Sequence, residues 1–461
     1  MHKDDKVPGL IGLGLYLGLS NLAHIAIGVT DVLMAGMLGS FLLAAATLAA
    51  TLFHVVMLSC VGFCAGCAPL LSKYKGKDNP KAYQARLIGV VGCLLIIIGL
   101  CIAILYIGDD ILLAFGQDER LIAASLDYLF YLTLTLPVAG LFSFLWIIAS
   151  LNGQGSSLFW ISLVSIFVNM GLNSVFMFGW GPIEASGLAG LGISTFVTFC
   201  LETIFLLFWL RLKSNSTALT VKGIDPQQII LHLPEIIRYG VPMMILECAT
   251  LAFFAVLTFF VGLLGPTQLA IHAITLQMAE IGTGLAFGFS EAISIVIARY
   301  MGQQNQLALQ RSCKQAILFG SGAMIIYGLC LIVFGQEITS LFLNFSNQLD
   351  IQITQEVVSL LTIAAICLIV DCARIVLIGI LRGLGDSHAP ISLTMGSFWF
   401  IAIPFSYILA FQLDWSIKGI WWGMAFGFAT GSVLLIWRFH KVWTHLVNPK
   451  RKDMISSLAQ E

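Results

Sequence analysis

Seven ionisable residues stand inside long apolar stretches of the chain: Asp31, Glu202, Glu247, Glu280, Glu291, Asp371 and Arg374. At bilayer depth each would cost at least ~2.5–3.5 kcal/mol on insertion scales, so such a group lines a cavity or holds a partner. Six of the seven are acids, a balance that suits a cationic ligand, a coupling cation or protons. Asp31 shares a helical face with Asn21 and His24, at positions 21, 24, 28 and 31. Glu247 follows Pro242 by about one turn. Asp371 and Arg374 are three apart, the spacing of a local ion pair. Glu280 and Glu291 are three turns apart on one face and would extend an acidic pathway, to which Gln277 is added. Glu202, near the end of its stretch, is expected to snorkel toward the aqueous boundary.

Other chemistry is poorly supported. Cys64-Ala65-Gly66-Cys67 has redox spacing, but with Cys60 it forms a helical stripe without a βαβ setting, so small-residue packing is expected. His24, His54 and His272 could relay protons, although helix histidines are more often packed and hydrogen-bonded. The chain has no Gly-rich phosphate loop, Ser-His-Asp set or metal-spaced cluster. Neither an enzyme nor a resident metal or cofactor is expected.

The elements that position these residues follow from composition. The 461 residues are 59% hydrophobic and 10% charged, against about 25% charged in soluble domains. Apolar runs of 18 or more residues match a hydrocarbon core of roughly 30 Å, and the absence of period-two alternation argues against a barrel. Twelve helices are expected, near 8–37, 41–72, 87–107, 121–149, 158–178, 187–210, 236–264, 267–298, 315–334, 354–381, 390–411 and 419–440. The apolar run after the charged start is too long for a signal peptide and has no small-residue cleavage site, so it is read as the first helix. Net charge is −1, which points away from nucleic acid.

Placing the N-terminus on one side collects 20 of the 23 Lys and Arg there, leaving Arg120 and Lys418 opposite and Arg374 within a helix. The positive-inside rule therefore puts both termini in the cytoplasm. The halves also repeat. An offset of 226 sets Gly36, Leu38, Gly39, Ala44, Gly62, Phe63, Tyr74, Gly76 and Asn79 on identical residues of the second half. At an offset of 230, Gly153 and Gly155 fall on Gly383 and Gly385. Six helices separate partners, so the repeats run in the same direction, with a cavity between lobes suited to alternating access. The division read is 1–211 as the first lobe, 212–234 as a cytoplasmic linker, 235–445 as the second lobe and 446–461 as a tail.

Four stretches resemble the MATE (multidrug and toxic compound extrusion) family, in its NorM-like branch. They are Asp31 followed by Met34-Ala35-Gly36-Met37-Leu38-Gly39, Gly240-Val241-Pro242 with Glu247, Ala270-Ile271-His272, and Asp371 with Leu381-Arg382-Gly383-Leu384-Gly385-Asp386. Asn169 and Asn173 stand in helix 5, where the branch resembling DinF is expected to carry an acid. The resemblance implies an all-α integral membrane protein, two six-helix lobes in a V around a central cavity, exporting lipophilic organic cations in exchange for H⁺ or Na⁺. It implies Glu247 and Asp371 as the second-lobe cation or proton site, with Na⁺ a candidate there, and Asp31 as the first-lobe acid. Asn169, Asn173 and Thr195 follow as neutral oxygen ligands. Arg374 departs from the neutral polar residue expected after the helix-10 acid and tilts the coupling toward protons. A monomer in the bacterial inner membrane, in contact with lipid, is expected. The alternative is a flippase for lipid-linked precursors, which should line its cavity with Arg and Lys.

Overall fold

The computed structural model describes residues 7–77, 79–114, 118–213, 226–340 and 348–447. Residues 214–225 of the expected linker and the tail from 448 lie outside them. Among the described residues twelve helices are long and apolar enough to cross a membrane. They are helix 1 (Leu10–Met37), helix 2 (Ser40–Gly76), helix 3 (Pro80–Tyr106), helix 4 (Glu119–Leu151), helix 5 (Gly155–Phe178) and helix 6 (Gly187–Lys213). Helix 7 (Pro226–Leu263), helix 8 (Pro266–Gly302), helix 9 (Gln306–Val333), helix 10 (Gln348–Gly383), helix 11 (His388–Gln412) and helix 12 (Ser416–Val447) complete the set.

Several helices start earlier than hydropathy alone suggests, because their first turns are helical but polar. Helix 3 begins at Pro80, whose missing N–H is no loss in a first turn, and Asn79 accepts from the Ala82 N–H at 3.1 Å. Asn305, the repeat partner of Asn79, does the same for helix 9 through Ala308, also at 3.1 Å. The repeated asparagine is thus a repeated helix cap. Short helices at Gly108–Ala114 and Gly335–Ser340, absent from the sequence reading, follow helices 3 and 9 at equivalent places.

The chain divides into two compact units that do not follow its halves. One comprises Met1–Leu251 with Phe287–Ser312, the other Ala252–Ala286 with Cys313–Glu461. Inside the first unit, helices 1, 2, 7 and 8 meet along a seam that obeys the 226-residue repeat. Gly14 backs onto the Phe289 ring and its partner Gly240 onto the Phe63 ring. Gly288 backs onto Gly18, and Gly62 onto Met244, the partner of Gly18. Near the Lys- and Arg-rich end, Gly76 meets Arg299 while Gly302 meets Lys73. Three contacts and their repeat images, made by different residues, demonstrate parallel repeats directly. The repeated turn glycines Gly39 and Gly265 adopt φ of 108° and 112°, a region closed to most side chains.

In the second unit, helix 12 sets Gly419, Gly423, Gly427 and Gly431 against Ala410, Ser406, Ala402 and Ser397 of helix 11. Small residues every fourth position let two backbones approach within a bilayer. The last step on helix 11 is five residues because a π-helical turn, Phe398–Ala402, precedes Pro404. That wider turn accommodates the helical positions Pro404 disturbs.

Helix ends correct one alignment. Helix 10 closes with Gly385 N–H on the Arg382 carbonyl (3.0 Å) and Asp386 N–H on Leu381 (2.9 Å), with Gly385 at φ 95°. Helix 4 closes identically through Gly153 and Gln154 on Ser150 and Ala149, both at 3.0 Å. Gly153 is therefore the counterpart of Gly385 rather than Gly383. The cap geometry, two residues out of the sequence register, decides the match.

Candidate functional site

Three helices of the first unit carry polar stripes on their inner faces. Helix 1 contributes His24 and Asp31, helix 5 Ser162, Ser165, Asn169 and Asn173, and helix 6 Ser194, Thr195, Thr198 and Glu202. Ser162, Ser165, Asn169 and Asn173 step by three or four, Ser194, Thr198 and Glu202 by four, and His24 and Asp31 are two turns apart, so each set occupies one face, with Thr195 beside Ser194. Helix 1 packs on helix 5, and helix 5 on helix 6, which brings the stripes together.

At one end stands Asp31. Asn173 donates through Nδ2 to Asp31 Oδ1 at 2.7 Å and to Asn169 Oδ1 at 3.1 Å. Ser194 donates to Asn173 Oδ1, which orients that amide. Thr195 and Asn169 are further polar neighbours of Asp31, and Tyr128 of helix 4 lies close to its charge. Asn169 and Asn173 are fully buried while Asp31 is half-buried. The structure thus gathers Asp31, Asn169, Asn173 and Thr195 into one place. The sequence reading missed Ser194 and Tyr128, and only the helical spacing of Ser194 from Thr198 hinted at the former.

Asp371 presents the opposite case. Its Oδ1 accepts from Arg374 Nε at 2.6 Å, both side chains are buried, and the guanidinium lies 4.8 Å from the Phe398 ring centre and 5.6 Å from that of Phe428. Gly431 leaves room beside the Arg374 side chain. The pair is a charge-assisted hydrogen bond on the Asp371 carboxylate.

Glu247 packs against Gly62 in the first unit, whereas Asp371 belongs to the second, so neither unit brings these two acids together. Glu280 and Glu291 likewise fall in different units. Glu280 is exposed and, among the described residues, accepts a long 3.5 Å contact from Gln277. Glu291 accepts from the Trp146 indole at 3.2 Å. Trp146 lies against His24, whose Nε2 is 3.2 Å from Ser162 Oγ.

Glu202 does not snorkel. It is 3% exposed, its Oε1 has no hydrogen-bond partner, and Ser165 is its polar neighbour. His272 is saturated: Trp421 Nε1–H donates to Nδ1 at 3.2 Å and Thr258 sits 3.2 Å from Nε2. That pattern fixes a neutral ring with its proton on Nε2, a packed histidine. Cys60, Cys64 and Cys67 are buried and form no disulfide among the described residues, in line with packing.

The fold and the buried acids define a multi-pass membrane transporter. The MatE family model matches residues 17–178 and again 242–408, one match in each half of the chain. "Probable multidrug resistance protein NorM" of Brucella suis is 26% identical over 441 residues, covering 94% of this chain and 93% of its own length. The protein of the same name from Pseudomonas aeruginosa is 28% identical over 443 residues, covering 94% and 90%. The eukaryotic MATE transporter AtDTX14 superposes with a TM-score of 0.80 at 18% identity, covering 92% and 93% of the two chains. A MATE P26A mutant reaches 0.86 at 16% identity, covering 97% and 100%. The chain belongs to the MatE family, the MATE/NorM multidrug-efflux transporters, and is not an enzyme.

Proposed function

We propose that this protein is an antiporter that exports lipophilic organic cations in exchange for protons, by alternating access, with Asp31 as its principal coupling acid. The observation that carries this is the Asp31–Asn173–Ser194 network. It holds an acid among neutral donors and acceptors, where its charge stays available to a proton or a cation. Asn169, Asn173 and Thr195 would offer oxygens to Na⁺ at the same place, so Na⁺ is the competing coupling ion there. At Asp371 the Arg374 pair speaks against metal coupling and supports a reading in which that acid holds helix 10. Glu247, packed on Gly62 in the repeated seam, is placed where a change of protonation would be felt by contacts that must part during the cycle.

By the positive-inside rule the Lys- and Arg-rich end is cytoplasmic, and opening there requires the Gly18–Gly288 and Gly76–Arg299 contacts to separate. The division into lobes 1–211 and 235–445, the bacterial inner membrane and a monomeric state belong to the same reading. Arg374 is paired and Arg86 is bound to Glu235 at 2.6 Å. Both observations weigh against a cavity built for anionic lipid headgroups.

The test is ethidium export from proteoliposomes under an imposed pH gradient, with and without a Na⁺ gradient. Export on the pH gradient alone, lost in Asp31→Asn and impaired in Glu247→Gln, supports the proposal. A strict need for Na⁺ replaces the proton with sodium at the same residues. Normal export by Asp31→Asn overturns the site.

A further inference from the structure

Glu202 is an acid that the function above does not use, and among the described residues of the first unit it is the one carboxyl that is fully buried. It lies seven residues from Thr195 on helix 6, so it sits about 10 Å further along the stripes than the Asp31 network. The carboxyl is 3% exposed, and among the described residues no ion pair involves it and Oε1 has no hydrogen-bond partner. Helix 5 supplies Ser165 opposite it and, one turn on, Ser162, which meets His24 Nε2. Phe199, one turn before Glu202, packs on Phe142, and Phe142 packs on His24.

Titratable or charged groups on the packed elements are few. Helix 1 has Tyr16, His24 and Asp31, and helix 4 has Glu119, Arg120, Asp127, Tyr128 and Tyr131, while helix 5 has none. Cys200, Arg211 and Lys213 share helix 6 with Glu202. Among the described residues none of these is a charged partner of the Glu202 carboxyl, which has neutral Ser165 as a polar neighbour. A metal cation needs several oxygens, and one hydroxyl beside one carboxyl does not provide them. An anion buried with so little compensation is strongly disfavoured, and a bound proton removes the charge.

We propose that Glu202 is a second proton-binding site of the transport cycle, placed on the basic side of the Asp31 site along the same polar column. Its carboxyl carries one proton in this conformation. It releases that proton when the packing of helices 5 and 6 around Ser165 admits water, leaving a carboxylate that takes up a proton again on closure. Two acids in the first half would then exchange protons per cycle, one in a polar cage and one in a nearly dry pocket. This inference rests on the antiport reading for the meaning of the exchange, but not for the existence of the protonated acid.

The experiment combines infrared spectroscopy of the purified, reconstituted protein with export assays. A carbonyl band of a weakly hydrogen-bonded, protonated carboxyl is expected in wild type. It should vanish in the near-isosteric Glu202→Gln, persist in Asp31→Asn, and shift in frequency in Ser165→Ala. Ethidium export on a pH gradient should be lost in Glu202→Gln while ethidium binding and thermal melting stay unchanged. An unchanged band in Glu202→Gln overturns the protonated acid. A lost band with wild-type export overturns its part in the cycle. If wild type itself exports nothing, the antiport reading fails and takes the cycle role with it, yet the band still decides whether Glu202 holds a proton. Should Glu202→Gln melt early, the Ser165→Ala band shift decides in its place.

Discussion

Asp31 and Asp371 are both acids in apolar helices of membrane-spanning length, and the two regions treat them in opposite ways. Around Asp31 every partner is neutral, so the charge is oriented without being cancelled. Around Asp371 the partner is Arg374, with two aromatic rings completing the enclosure. A hydrogen-bonded acid among amides and hydroxyls can change its charge without dismantling its surroundings. A buried ion pair cannot, because either member alone is worse off than both together. On the proposed reading, the duplicated halves would hold one responsive acid and one structural one.

The sharpest way to break this contrast is to remove the arginine. Arg374→Leu leaves Asp371 buried and uncompensated and should destabilise the protein by ~3–5 kcal/mol, read as a lower melting temperature in detergent. Asp371→Leu combined with Arg374→Met should recover most of that loss. If the single change is tolerated, Asp371 is not held as described. A smaller effect tests the other side: Asn173→Ala removes a donor to Asp31 and an acceptor for Ser194, and should cost about 1–3 kcal/mol. Export should weaken with it, whereas an Asn173→Ala protein with wild-type export would detach the network from function. Smallest of all is Glu280→Gln. That exposed side chain should change stability by no more than about 0.5 kcal/mol and leave export unaltered, and a large loss of export would restore Glu280 to the pathway.

Much of the fold was readable from the chain because membrane helices announce themselves by length and because the repeat is written in glycines. Gly62, Gly76 and their partners were visible as identities, and the seam shows why: each is a place where another helix leaves no room for a Cβ. The site was readable in part. Asp31, Asn169, Asn173 and Thr195 followed from the family pattern, and the Asp371–Arg374 spacing allowed the pair that forms. Glu202 was misjudged because sequence position suggests how far an acid lies from a helix end but not which way its side chain turns. The helix 12 glycines at 419, 423, 427 and 431 have a legible spacing, yet the π turn that keeps helix 11 in step with them depends on backbone geometry around Pro404. Glu280 and Glu291 share a face of one helix but not a compact unit, which no periodicity could reveal.

The seam of helices 1, 2, 7 and 8 also bears on how fast the molecule can change shape. Where Gly288 lies on Gly18, backbone touches backbone, with no rotamers to freeze on meeting and none to release on parting. What is lost on separation is dispersion, shared among many weak contacts that yield one after another. On the proposed alternating-access reading, such a joint would let two conformations stay close in free energy. One proton gained or lost at a nearby acid would then be enough to tip their populations.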